Sequence, residues 1–197
     1  MAGVNLTRGT KPLLQLNPST CAALHSELGI SHDYAQSRGL LLQLEANEAD
    51  LVSIPSRTAR QIRLTILAAE AWERLHTAAA RANISLIPLS GFRSIALQAE
   101  IIRAKLVAGQ AITDILRYVA APGFSEHHTG RALDLATPGS PPLEEKFAET
   151  TAFAWLSEHA REFGFSLSFP RGNIHGIAFE PWHWCWQSER SDSRIEL

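Results

Sequence analysis

The chain has 197 residues, 45% of them hydrophobic and 19% charged, with a formal net charge of -2. Such values describe one globular domain of ordinary size, without the basic field that a nucleic acid or an anionic membrane would need. Two cysteines are too few for a disulfide framework or a four-cysteine zinc cluster, so any metal must be held mainly by His, Asp or Glu.

No eighteen apolar residues follow one another, and the opening MAGVNLTRGTKPLLQLN lacks an apolar run of signal-peptide length. A cytoplasmic protein is expected on that basis, and separately a monomer. A short helix is expected after residues 18–20, and a strand at LLLQL, residues 40–44. From Arg57 onward, Ile62, Ile66, Ala69, Trp72, Leu75 and Ala79 recur at three- and four-residue steps, which predicts one amphipathic helix over 57–82. ISLIPLSGFRS then reads as a strand running into a turn, with Arg93 just past the strand end. Two helical stretches follow, over 95–107 and 111–118, with Gly109 as a stop between them.

Pro122 and Gly123 break the chain before SEHHTGRALD, residues 125–134. Within it begins RALDLA, residues 131–136, which has the period of a strand, with Leu133 and Leu135 on one face and Asp134 on the other. After the loop TPGSPP, apolar residues from Phe147 to Phe163 predict a helix ending near Gly164. Short strands are expected at 166–169 and 177–184, and a frayed tail at 188–197. Helices and short strands without regular βαβ alternation predict an α+β fold rather than a parallel sheet.

Chemistry concentrates in two places. A histidine and an aspartate seven apart mean little in a chain with eight histidines. The second cluster, EPWHWCW at 180–186, adds an acid, a proline and a histidine beside three of the five tryptophans. Zinc hydrolases use three protein ligands and one open position, and two neutral imidazoles with a carboxylate form such a set. His127, Asp134 and His183 can supply it, and Glu180 is the natural base. Residues three apart on a regular strand point to opposite faces, so Glu180 and His183 can converge only if Pro181 interrupts the strand.

Ser125-x-His127-x-x-Gly130-x-Ala132-x-Asp134, followed by Glu180-Pro-Trp-His183, resembles the zinc signature of the LAS peptidases, the group that includes lysostaphin, the D-alanyl-D-alanine metallopeptidases and Sonic hedgehog. The upstream Ser90-Gly91-Phe92-Arg93-Ser94 with Gln98 is similar to the VanY-like carboxypeptidase branch, and the resemblance covers about residues 58–186. It implies a small antiparallel sheet carrying a zinc site on one face with helices packed on the other. Residues 1–57 are expected, from the length of the chain, to be an extension of the same single domain. It also implies that His127, Asp134 and His183 bind Zn2+, that Glu180 is general base and acid, and that Arg93 steadies the developing oxyanion or the substrate carbonyl. Gln98 and Ser125 would help hold the substrate's terminal group. Gly130 would let the loop between the first two ligands turn tightly at positive φ. One departure is Trp184-Cys185-Trp186, where many members of the branch carry an Arg-Tyr pair a little downstream.

Beside these stand the plainer assignments. His128 is out of register with the ligands and reads as an exposed group or one that supports a ligand from behind. Trp182, Trp184 and Trp186 alternate as strand residues sharing one face and read as core, and Cys185 as a small buried hydrophobe. His25, His32, His76, His159 and His175 have no partner pattern. The expected function is zinc-dependent removal of a C-terminal D-alanine from a peptidoglycan stem peptide. L,D-cleavage of recycled tetrapeptides is favoured on the expectation of a cytoplasmic enzyme. The alternatives are D,D-cleavage of D-Ala-D-Ala termini, a phage-type endopeptidase, or a non-catalytic zinc-containing binding domain.

Overall fold

The computed structural model describes residues 18–56 and 61–187. α1 (Pro18–Leu28) and α2 (Tyr34–Ser37) lead to the strands β1 (Leu51–Ile54) and β2 (Ile62–Thr65). α3 (Ile66–Arg81) runs into β3 (Ile87–Ser90), and α4 (Ile95–Val107) with the single turn α5 (Ile112–Ile115) precedes β4 (Ala132–Ala136). α6 (Thr151–His159), β5 (Phe165–Leu167) and β6 (His183–Trp186) complete the described chain. The fold is α+β: β1 and β2 pair antiparallel, and a four-stranded antiparallel sheet has the order β3-β4-β6-β5. No helix among the described residues is long and apolar enough to cross a membrane.

The strand period of β4 sorts its residues as its sequence predicts. Leu133 and Leu135 enter a core cluster with Ala68, Trp72 and Leu75 of α3, Leu156 of α6 and Trp184 of β6. Asp134 lies on the opposite face, paired across β6 with His183 and across β3 with Ser90. Side chains directly opposite in an antiparallel pair are close neighbours on one face, so the register itself brings Asp134 and His183 together. The sheet therefore carries these two residues on one side and helices on the other.

A second cluster joins Leu28, Ile30 and Tyr34 of the N-terminal segment to Ala99 and Ile102 of α4 and to Ile115 and Leu116. Polar contacts extend the join to the stretch before SEHHTGRALD. Tyr34 Oη accepts from Ala121 N–H (3.2 Å), His25 Nε2 donates to Pro122 O (2.8 Å) and Gln43 N–H to Gly123 O (2.8 Å). Residues 18–46 thus brace the chain that leads into the first candidate ligand.

Several expected elements need correction. The helix predicted over 57–82 begins only at Ile66; residues 57–60 lie outside the described residues, and Ile62–Thr65 is β2. Ile62 and Leu64 are buried in alternation, paired with Ile54 and Val52, so the four-residue step from Ile62 to Ile66 is a coincidence of strand and helix phases. LLLQL forms no strand. It meets the 121–124 stretch through one hydrogen bond, Gln43 N–H to Gly123 O, and Leu41 and Leu44 are each 77% exposed. The helix expected at 111–118 is one turn, Ile112–Ile115, followed by turns. The helix expected at 147–163 is divided at Thr150, whose extended backbone and side chain cap α6 by accepting from Phe153 N–H (3.2 Å).

At the C-terminal side β5 covers Phe165–Leu167 rather than 166–169, and the strand expected at 177–184 starts only at His183. Residues before it make isolated contacts, Ala178 N–H to Arg117 O and Glu180 N–H to Phe169 O, in place of a ladder. The predicted tail at 188–197 lies outside the described residues.

Candidate metal centre and active site

Three turns and two strands deliver the site. Ser94 caps α4, its hydroxyl accepting from Leu97 N–H (3.1 Å), which fixes Arg93 at the helix entrance and Gln98 in the first turn. A 3-10 turn at Glu126–Thr129 carries His127 and ends at Gly130, whose φ of 64° is the positive value expected there. A Cβ at Gly130 would meet Leu51 Cδ2 at 2.8 Å, the movable end of a side chain, so it is the backbone conformation that favours glycine here. β4 then presents Asp134, and β6 opens on His183.

Glu180 is not on the strand. Residues 181 and 182 form a turn closed by His183 N–H to Glu180 O (3.0 Å), so the chain reverses between Glu180 and His183. That turn supplies the interruption that convergence of Glu180 and His183 demands, and Pro181, which donates no N–H, occupies its first position.

The candidate ligand atoms of His127, Asp134 and His183 all lie within 4.8 Å of one another, and all three residues are buried. Asp134 sits between the two rings: Oδ2 is 3.2 Å from His127 Nε2, and Oδ1 is 3.1 Å from His183 Nδ1. His127 Nδ1 donates to Gly91 O (2.7 Å), which leaves its Nε2 lone pair turned inward. Two imidazoles and a carboxylate at this spacing suit zinc, whose usual catalytic set is three protein ligands of such types.

The charges fit the same picture. Burial lowers the pKa of His127, with Asp134 opposing the shift, so the ring stays neutral. Burial would also lower that of His183, but hydrogen bonds to Asp134 and Glu126 outweigh it and raise the value to about 10. Asp134 is held ionised: its neighbours His127 and His183 overcome the cost of its burial and put it well below the usual carboxylate range. Glu180 moves the other way, to about 7, because burial disfavours its charge, assisted by the nearby negative charges of Asp134 and Glu126.

A cleft of ≈ 780 Å³ runs past this centre and is lined by all seven residues singled out by sequence: Arg93, Gln98, Ser125, His127, Asp134, Glu180 and His183. Arg93 is aimed by two side chains, donating to Gln98 Oε1 (3.0 Å) and Ser90 Oγ (3.2 Å), with its Nη2 3.7 Å from Asp134 Oδ2. Gln98 is buried, and its amide nitrogen donates to Ala120 O (2.6 Å), so it bridges Arg93 to the opposite wall. Its side chain lines the cleft beside Arg93, with both ends of its amide engaged by the protein.

His128 is fully buried, which removes the exposed alternative. Its Nδ1 donates to Arg93 O (2.7 Å) and its Nε2 accepts from Gly123 N–H (3.1 Å), so it supports the Arg93 backbone from behind the site. Trp182 precedes the strand instead of belonging to it, yet Trp182 and Trp184 are in the main core and Trp186 packs against it. Trp182 also forms part of the cleft wall. Cys185 is buried as expected.

Sequence reading overlooked Glu126. Its Oε2 is 2.8 Å from His183 Nε2 and accepts from Ser168 Oγ (2.6 Å). The adjacent position to His127 was visible, but partners 42 and 57 residues away were not.

Comparison with known proteins gives the same family from three directions. The VanY family, described as D-alanyl-D-alanine carboxypeptidase, matches residues 61–189. A D-alanyl-D-alanine carboxypeptidase of Enterococcus faecalis is 32% identical over 117 residues, 54% of this chain and 42% of that protein. The chain spans less than half the length of two curated relatives that it matches at 32% identity. Among solved structures, the LD-carboxypeptidase LdcB superposes with a TM-score of 0.64 at 28% identity, over 72% of this chain and 69% of that one. The zinc complex of the D,D-pentapeptidase VanY from a VanB-type vancomycin resistance cassette does so with 0.55 at 26%, over 75% and 85%. With the buried His-Asp-His group and the family match over 61–189, the chain belongs to the VanY family of D-alanyl-D-alanine carboxypeptidases.

Proposed function

We propose that the protein is a zinc-dependent carboxypeptidase that removes the C-terminal D-alanine from peptidoglycan stem peptides, with L,D-cleavage of tetrapeptides favoured. The observation that carries this reading is the placement of three buried ligand-type side chains, a carboxyl raised to about 7 and an oriented arginine on one cleft. The zinc complex of the VanY relative supports the metal, and the likeness to two L,D-carboxypeptidases, LdcB and DacB, supports the L,D reading.

Zinc held by His127, Asp134 and His183 would polarise the scissile carbonyl and lower the pKa of a water. Glu180 takes a proton from the attacking water and delivers it to the nitrogen of the departing D-alanine, a transfer favoured by a carboxyl whose pKa is near neutrality. Arg93, already tied to Gln98 and Ser90, offers fixed positive charge where the carbonyl oxygen becomes negative and needs no reorganisation to do so. Ser125, buried on the same wall, is placed to contact the peptide terminus.

The test is a mass-spectrometric assay of zinc-loaded protein on a stem tetrapeptide and a stem pentapeptide. Loss of D-alanine from the tetrapeptide is expected. Loss only from the pentapeptide would overturn the L,D preference in favour of D,D-cleavage, and loss from neither would overturn the carboxypeptidase reading.

A further inference from the structure

We infer that Glu126 is a positioning residue for the metal centre, holding the His183 ring so that Nδ1 and not Nε2 faces the site. This inference rests on the zinc reading above. A neutral imidazole can offer a lone pair from only one nitrogen, and the partner of the other nitrogen decides which one. For His127 that partner is the Gly91 carbonyl at Nδ1. For His183 it is the Glu126 carboxylate, 2.8 Å from Nε2, while Nδ1 lies 3.1 Å from Asp134.

The Glu126 side chain does not serve its own turn: the 3-10 segment Glu126–Thr129 is closed by backbone groups and by Thr129 Oγ1 donating to Glu126 O (2.7 Å). Its carboxylate instead joins two distant residues, His183 on the first position of β6 and Ser168 just after β5. Ser168 donates to the same oxygen that meets His183, which fixes that oxygen in place (2.6 Å). The His127 and Phe169 rings flank His183, with centroids at 5.0 and 5.1 Å, but ring contacts do not distinguish one edge of an imidazole from the other. The carboxylate does. It also makes the inward nitrogen a stronger donor, the effect that a carboxylate behind a ligating histidine has on metal affinity.

One turn therefore supplies both a candidate ligand, His127, and the group that orients another, His183. Because Glu126 also lines the cleft, a direct substrate contact is the competing role, and zinc affinity separates the two. The experiment measures the zinc dissociation constant of wild type, Glu126→Ala, Glu126→Gln and Ser168→Ala by competition with a chromogenic chelator. Circular dichroism of the zinc-free proteins accompanies it as a folding check.

Loss of the partner should weaken zinc binding about 10–100-fold in Glu126→Ala, with a smaller loss in Glu126→Gln, whose amide oxygen still accepts from Nε2, and in Ser168→Ala. Should Glu126→Ala fail to fold, the near-isosteric Glu126→Gln decides the matter. Zinc affinity within about two-fold of wild type in the folded Glu126 variants overturns the inference, whatever happens to KM. A wild-type protein that binds no zinc overturns the metal reading itself, and the wild-type arm reports that separately.

Discussion

Glu180 and His183 sit three residues apart, share a cleft and both hold their protons more tightly than free side chains do, for different reasons. Burial lifts the Glu180 carboxyl to about 7, whereas hydrogen bonds to Asp134 and Glu126 keep His183 protonated in the metal-free protein despite its burial. A base must be ionised to act, so kcat/KM should rise with pH through the Glu180 pKa. Positive charge at the metal centre favours the carboxylate, which places that rise below pH 7. A pH-rate profile of the zinc-loaded enzyme checks this, and a flat acid side between about pH 5 and 7 would contradict it. His183 must also give up its extra proton before it can ligate. Zinc uptake near neutral pH should therefore release the His183 proton and part of the Glu180 proton, about one to two per chain, and tighten as pH rises, which calorimetry in buffers of different ionisation enthalpy measures.

At this scale the candidate site was legible because its residues occur as short ordered motifs, and all seven lie on the cleft. What escaped were relations that no local spacing records. Glu126 reaches partners 42 and 57 positions away, and Gln98 turns its amide to Arg93 and Ala120 rather than outward.

Among the elements, strong periodicity was reliable where one element filled the whole window and misleading where two met. α4 occupies Ile95–Val107 as predicted, with Ser94 as its cap and Gly109 at φ 83° beyond its end. The junction of β2 and α3 is ambiguous in the sequence because Ile62 satisfies both a strand alternation and a helical step. The turn at 181–182 could be anticipated from Pro181, but only folding shows that it removes Glu180 from the strand altogether. The role of residues 18–46 was not legible at all, since it lies in contacts across the fold. Tyr34 is the most informative probe there, because its hydroxyl accepts from the Ala121 N–H next to the residue that holds Gln98. Tyr34→Phe leaves that N–H unpaired and should cost about 1–3 kcal/mol in denaturant unfolding. An unchanged midpoint would show that the brace does not depend on this bond.

For the molecule as a whole, a small sheet divides labour between its faces. Leu133 and Leu135 bind β4 to the helices, and Asp134 between them meets His183 across the strands and His127 from the turn before. The matched family region, 61–189, contains every candidate catalytic residue, while the N-terminal segment packs on α4 and on the stretch that enters the first motif. The proposed hydrolysis stands on zinc at this centre and on proton transfer by Glu180. The most direct measurement is D-alanine release from stem peptide by Glu180→Ala and wild type, compared at matched zinc content. The account predicts that the variant keeps its zinc and loses about 10²–10⁴-fold in turnover; turnover equal to wild type in the zinc-loaded variant would contradict it.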